Sequence, residues 1–495
     1  MHPGRSRYAR TAGLLASVIA LLLAFGLLAA ELTAIHLAND AGRVLQTLQR
    51  GEPRWQWRPR VPRDLIAGRI FGDGDARRTS DGLEIISRGK DPFELGLPIA
   101  QRLDLAHWPV LAVDSEGSAT ARVSIVWGDG HGTACLTPAQ AWQIGAPLRI
   151  DLRRQTGRDP AGRPCPLPLS ASMLRLRVDA PPGTSWILRH VALEAADPAT
   201  DEWTPPAFPS PSLPSPTAQL AALTGQTASP LIWLPVNASA EELLTWRDEA
   251  VRRQAGAIVV RADLPPRTPR PGLPGWLTWL ACGTYAAALL HLAWRPRGDL
   301  IALAAALAGP LWLLAGLQWG GRASWPAAAA FASALAFAAW STRDKGLRQW
   351  CWLGRWKSAM WWAPLLLVPV AVAVGQLWGH PMEPVKPGRA VIYLGWAGMQ
   401  QWLLLGFALP RLERILRSGP WAVLVVAALF ALMHTPNGML MQLCLLSELF
   451  WAACFLRNRS LLPVAIAHAA SALIVGAMLV GPMLRSLEVS ARFFS

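Results

Sequence analysis

The chain has 495 residues, 52% of them hydrophobic and 16% charged, with a mean hydropathy of +0.26. That balance excludes a wholly soluble protein, and it excludes disorder, which needs low hydrophobicity with high net charge. The formal charge of +15 leaves nucleic acid or a membrane surface as partner until the cations are placed along the chain.

A basic start (Arg5, Arg7, Arg10) precedes an uncharged apolar run from Thr11 to Ala30. This is about the 20 residues that a bilayer crossing needs, whereas the apolar core of a cleaved signal peptide is usually shorter, at about 7–15. Residues 1–34 are therefore expected to form an N-terminal transmembrane anchor. Under either account the following segment is exported. Within 35–195, alternating runs at Leu83–Ser87, Trp108–Val113, Ala121–Trp127, Leu148–Leu152, Leu174–Val178 and Trp186–Leu193 predict strands. Their spacing suggests an antiparallel, jelly-roll-like β-sandwich in the periplasm. Trp108, Trp127 and Trp186 belong to its core, or to a glycan-binding face. Cys135 and Cys165, the two cysteines of this region, would face an oxidising compartment and either pair or remain thiols. Asp129, His131 and Asp151 fit a solvated turn better than a metal site.

Residues 196–230 are rich in Pro and Ser and predict a semi-rigid linker. In 231–275 a strand (Leu231–Leu234), a helix opened by Ser239 and Glu242 at capping-box spacing, and a strand (Ala257–Arg261) form a small α/β unit that ends in a second Pro cluster. From Trp276 onward the chain is apolar. Spans are expected at 276–294, 300–319, 325–341, 359–379, 390–409, 419–435, 438–456 and 461–483, nine with the anchor. The fold class is thus a polytopic α-helical membrane protein with a mainly-β domain after its first span. Residues 276–356 would hold the first helices and a basic, Trp-rich loop, and 357–495 the last helices.

The cations agree with this order of spans. Arg5, Arg7, Arg10, Arg295, Arg297, Arg343, Lys345, Arg348, Arg355, Lys357, Arg411, Arg414, Arg417, Arg457 and Arg459 fall on one side of the spans. Only Arg322, Lys386, Arg389, Arg485 and Arg492 fall in the opposite loops and tail. The positive-inside rule makes the first set cytoplasmic and residues 31–275 periplasmic, in a bacterial-type inner membrane. Trp350, Trp352, Trp356, Trp361 and Trp362 interleave with such cations. At the end of a span this pattern points to an interfacial belt on anionic lipid, not to nucleic acid.

Polar residues are costly in lipid, and here they gather in the last four spans: Gln400, Gln401, His434, Gln442, Ser447, Glu448 and His468. His291 stands alone in an earlier span. Any one of these residues can be an interhelical hydrogen-bonding group. Two histidines and a carboxylate together also suit hydrolysis, with the carboxylate taking a proton from water and imidazole steadying the oxyanion.

Phe430-Ala-Leu-Met-His434, followed by Thr-Pro-Asn437, resembles the second motif of the CAAX-processing and bacteriocin-protection (CPBP) family of glutamic-type intramembrane proteases. The stretch from Arg457 to Ala469, with Pro463 and His468, is similar to the third motif region. Gln400-Gln-Trp-Leu-Leu-Leu-Gly406 falls where the family carries Glu-Glu-x-x-x-Arg-Gly. The resemblance covers residues 360–480 and implies that 357–495 form a CPBP-like intramembrane protease domain, an endopeptidase fold acting on membrane-associated protein or peptide clients. It leaves three family roles without their residue: Gln400 stands for the water-activating Glu, Leu405 for the Arg and Ala472 for the Asn, with Ser471 beside it. A carboxamide cannot accept the proton.

Two outcomes stay open. Glu448 supplies the base, with His434 and His468 binding water and oxyanion and Gln400 and Gln401 orienting; or the site is degenerate and binds a client without cutting it. Neither needs a metal or cofactor, since two histidines without two further ligands make no zinc site. An alternative of another class is a non-enzymatic envelope-binding protein whose sandwich holds a glycan or an exported partner. A transporter would show paired halves with broken helices, and no internal repeat is visible.

Overall fold

The computed structural model describes residues 3–99, 102–128, 134–195, 215–221, 230–268, 274–296, 298–315, 325–343, 350–354, 356–481 and 483–494. Asp129 and His131, most of the 196–230 linker, and the loop cations Arg297, Arg322, Lys345, Arg348 and Arg355 lie outside the described residues. The chain divides into two compact units. One comprises residues 1–34, 238–244 and 270–495, the other 35–237 and 245–269.

The second unit is mainly β. Among its described residues one antiparallel sheet runs in the order Leu148–Asp151, Val110–Glu116, Ser185–Glu194, Leu83–Ser87, Gly74–Arg78, with Trp55–Trp57 on the 185–194 strand. A second antiparallel sheet centres on Thr120–Gly128 paired with Met173–Asp179, where Leu174 faces Trp127 and Leu176 faces Ile125. The alternating residues that predicted the strands supply one apolar cluster from both sheets, including Leu83, Ile85, Leu111, Val113, Ile125, Leu176 and Leu188. Period-two patterning is what commits one face of each strand to such a core.

The tryptophans divide. Trp127 and Trp186 are buried in that core, Trp186 edge-on to Trp142, while the half-buried Trp108 packs edge-on against Trp55. Cys135 and Cys165 form a disulfide with a Cα–Cα distance of 6.2 Å. Asp151 caps a short helical turn and accepts hydrogen bonds from Arg153, whose guanidinium holds the carboxyl below the usual carboxylate range. It is thus engaged with arginine, while its proposed companions Asp129 and His131 lie outside the described residues.

Strands Leu231–Leu234 and Ile258–Arg261 pair in parallel around helix Ala240–Arg253, as the hydropathy pattern predicted. The capping box forms in full: Ser239 Oγ accepts from the Glu242 amide at 3.2 Å, and Glu242 accepts from the Ser239 amide at 2.8 Å.

The first unit is helical. In chain order the described helices are α1 (Pro3–Gln49, ending in the second unit), α2 (Pro216–Ala221, in the second unit), α3 (Ala240–Arg253, mostly in the second unit), α4 (Gly275–Trp294), α5 (Asp299–Ala315), α6 (Trp325–Ser341), α7 (Ala359–Trp362), α8 (Leu367–Trp378), α9 (Pro387–Gln401), α10 (Leu409–Leu416), α11 (Gly419–Leu432), α12 (Gly438–Asn458) and α13 (Leu462–Met478). Among the described residues four stretches are long and apolar enough to cross a membrane: Thr11–Gln49, Gly275–Trp294, Ala359–Trp378 and Gly438–Asn458. The expected spans at 300–319, 325–341, 419–435 and 461–483 correspond to shorter apolar helices of 14–17 residues. At 1.5 Å per residue these reach only about 21–26 Å.

The expected span 390–409 is not one regular helix. α9 passes into a π-helical turn at Trp402–Ala408 before α10 resumes. Gly406 sits in that turn because Trp350 donates its indole N–H to the Gly406 carbonyl at 2.9 Å, and a Cβ there would lie 3.1 Å from the ring.

Candidate active site

The Phe430–Asn437 motif closes α11 and opens α12. Asn437 Oδ1 accepts from the Leu440 amide at 3.2 Å, capping α12. Its amide nitrogen donates to the carbonyls of Ser486 (2.7 Å) and Glu488 (3.2 Å), tying the C-terminal tail to the α11–α12 corner. His434 sits on this corner and His468 on α13. The Phe430 ring stands edge-on to both imidazoles, at 4.8 Å from His434 and 5.2 Å from His468.

These hydrogen bonds fix both tautomers. His434 Nδ1 lies 2.8 Å from the Phe430 carbonyl, which can only accept, so Nδ1 carries hydrogen and Nε2 presents a lone pair. His468 Nδ1 lies 3.4 Å from the Gln401 amide nitrogen, a pure donor, so its Nε2 carries the hydrogen. The pair thus offers one imidazole acceptor and one imidazole donor.

A cavity of about 350 Å³ opens beside them. Gln400, His434, Ser447, His468, Ser471 and Ala472 line it, with Tyr393, Met399 and Trp451. Trp451 lies against His468 at 5.3 Å, and Tyr393 stands edge-on to it at 6.4 Å. Nothing in the sequence marks these two aromatics as site residues, because an aromatic in an apolar helix reads as packing. Ser471, the polar neighbour of Ala472, has a buried hydroxyl that makes no hydrogen bond among the described residues.

The structure therefore brings together Gln400, His434 and His468. Gln401 and Glu448 lie just behind. Both are fully buried, and Gln401 donates to Glu448 Oε2 at 2.9 Å. Neither lines the cavity. Glu448 reaches His468 only through the Gln401 amide. The one carboxylate among the described lining residues is Glu488 of the tail, which pairs with Arg492 at 3.5 Å. Among the described residues no group of three His, Cys, Asp or Glu side chains has a metal-binding arrangement.

Residues 388–474 match the family model described as type II CAAX prenyl endopeptidase Rce1-like, within the CPBP family. The C-terminal part of this chain is Rce1-like. No curated protein and no solved structure matches the chain. The Rce1-like segment runs from α9 into α13 and so carries Gln400, His434, Glu448 and His468 together. Residues 35–275, with the β domain, lie outside the match.

Gln442 donates to the Leu22 carbonyl of α1 at 3.0 Å, Ser447 bonds back to the Leu443 carbonyl, and His291 is exposed. Leu405, at the family Arg position, is fully buried among apolar neighbours. It offers the site no cation.

Proposed function

We propose that the helical unit is a CPBP-type intramembrane endopeptidase homologue that binds a membrane-associated protein or peptide client in the His434–His468 cavity with little or no hydrolysis. The observation that carries this is the placement of Gln400 and Glu448. Where the family resemblance implies a water-activating carboxylate, the cavity presents the carboxamide of Gln400, and Glu448 is held behind Gln401. A carboxamide takes no proton from water, and a general base usually contributes about 10²–10⁴-fold in rate. What remains suits recognition. One imidazole accepts, the other donates, and apolar and aromatic walls fit a membrane-embedded segment.

The same proposal extends to orientation and partners. Nine crossings of an inner membrane rest on the apolar runs, and a cytoplasmic N-terminus and a periplasmic β domain on the charge asymmetry. The partners are then the bilayer and a client, and a glycan or exported protein at the β domain.

Purified full-length protein tests the function against reconstituted single-span polypeptides, with His434→Ala and Glu448→Gln variants. The expected outcome is retained binding by wild type and Glu448→Gln, weakened binding by His434→Ala, and no product from any of the three. Turnover by wild type that falls about 10²-fold or more in Glu448→Gln would restore Glu448 as the base and overturn the proposal.

A further inference from the structure

A second cavity, of about 410 Å³, lies away from the histidines, where the ends of α4, α5 and α6 meet α10. Its walls divide by chemistry. Leu292, Phe337 and Trp340 form an apolar side, and Arg411, Arg414 and Asp299 a charged one. Arg411 is 2% exposed, an unusual state for arginine. It is held there by donation to the Phe407 carbonyl at 2.9 Å and the Ser341 carbonyl at 3.1 Å, with its guanidinium 4.0 Å over the Phe407 ring. Arg414 bonds Asp299 at 2.7 Å and stays half exposed. Two guanidinium groups against one carboxylate leave the charged wall net positive.

The surroundings extend the pattern. Arg343 stacks on Trp340 at 4.5 Å, and Arg295 follows α4 at the same end of the helices. The residues that form this wall belong to the cation-rich side of the spans. An apolar cavity with a net positive rim, framed by an interfacial tryptophan, complements an acyl chain joined to an anionic headgroup.

We propose that this crevice binds one anionic phospholipid, its phosphodiester at Arg414 and Arg411 and an acyl chain against Phe337 and Leu292. Binding here is independent of the client cavity, because none of these residues lines it.

The test is native mass spectrometry of the full-length protein taken from mixed phosphatidylglycerol and phosphatidylcholine nanodiscs. Wild type is expected to retain one phosphatidylglycerol in preference to phosphatidylcholine. Arg414→Gln should lower that retention about five- to tenfold, the scale of one interfacial cation contact. Ala302→Phe, which fills the apolar side, should lower retention of both lipids, and Arg252→Gln, on α3 and paired there with Glu249, should change neither. Equal retention of the two lipids, or unchanged retention by both cavity variants, overturns the proposal. Displacement of the bound lipid by millimolar inorganic phosphate alone would instead make this a free-anion site, and would also overturn it.

Discussion

At the residue scale the chemistry turns on which atom faces the cavity. The sequence places Gln400, Gln401, Glu448 and the two histidines within one set of spans, and period 3.6 puts the adjacent glutamines on different faces of α9. Only coordinates show the consequence: Gln400 lines the cavity, while Gln401 turns inward to bridge Glu448 and His468. The histidines were legible through their motifs. Tyr393 and Trp451 were not, because no local pattern separates an aromatic that packs on an imidazole from one that fills a core.

Gly406 is a further case. It matches the Gly of the resembled motif although Leu405 stands at the Arg position, and the Trp350 indole takes the space a Cβ would need. Gly406→Ala is expected to cost about 1–3 kcal/mol, the usual scale for overpacking, seen as a lower thermal midpoint of the purified protein. An unchanged midpoint would show that the Trp350 contact gives way freely.

At the element scale the strands of the β domain were the most legible. Alternation located the strands at 83–87, 110–116, 120–128, 148–151, 173–179 and 185–194, because half-buried strands must alternate. The short strands Trp55–Trp57, Phe71–Gly72, Gly74–Arg78 and Phe93–Gly96 were missed, being too short or too polar to show a period. In the helical unit hydropathy located apolar stretches but not their breaks. The π turn at Trp402–Ala408 leaves no mark in composition, yet it re-aims the chain directly after the two glutamines.

The corner between α11 and α12 was visible only as a motif, and its mechanics rest on Asn437, which caps one helix and holds the tail. Asn437→Ala should cost about 0.5–2 kcal/mol from the lost cap. By releasing the Ser486 and Glu488 carbonyls it should also raise amide exchange at Ser490, whose N–H donates to the Thr435 carbonyl of the same corner at 2.8 Å. Exchange there equal to wild type would mean that the tail is held without Asn437.

At the scale of the whole molecule, the composition averages a mainly-β unit with a helical unit that holds the apolar stretches. The charge of +15 is informative once divided by position, since the expected spans put most of the loop cations on one side. The proposed orientation makes a sharp prediction for the cysteines. Cys351 is the exposed free cysteine among the described residues, Cys282, Cys444 and Cys454 are buried, and Cys135 and Cys165 are bonded to each other. A membrane-impermeant maleimide should therefore label Cys351 in inside-out vesicles and leave intact spheroplasts unlabelled. Labelling of Cys351 in spheroplasts would reverse the orientation and the cytoplasmic placement of the loop before α7.

The central claim is that the Rce1-like cavity holds a client without cutting it. A photo-crosslinking amino acid at Met399, which lines the cavity beside Gln400, tests this most directly in the full-length protein within its own membrane. The measurement is the mass of the captured polypeptide. A client recovered at full length, with capture lost in His434→Ala, is the predicted result. A client captured with a new terminus inside its membrane segment, and captured whole when Glu448 is changed to Gln, would contradict it.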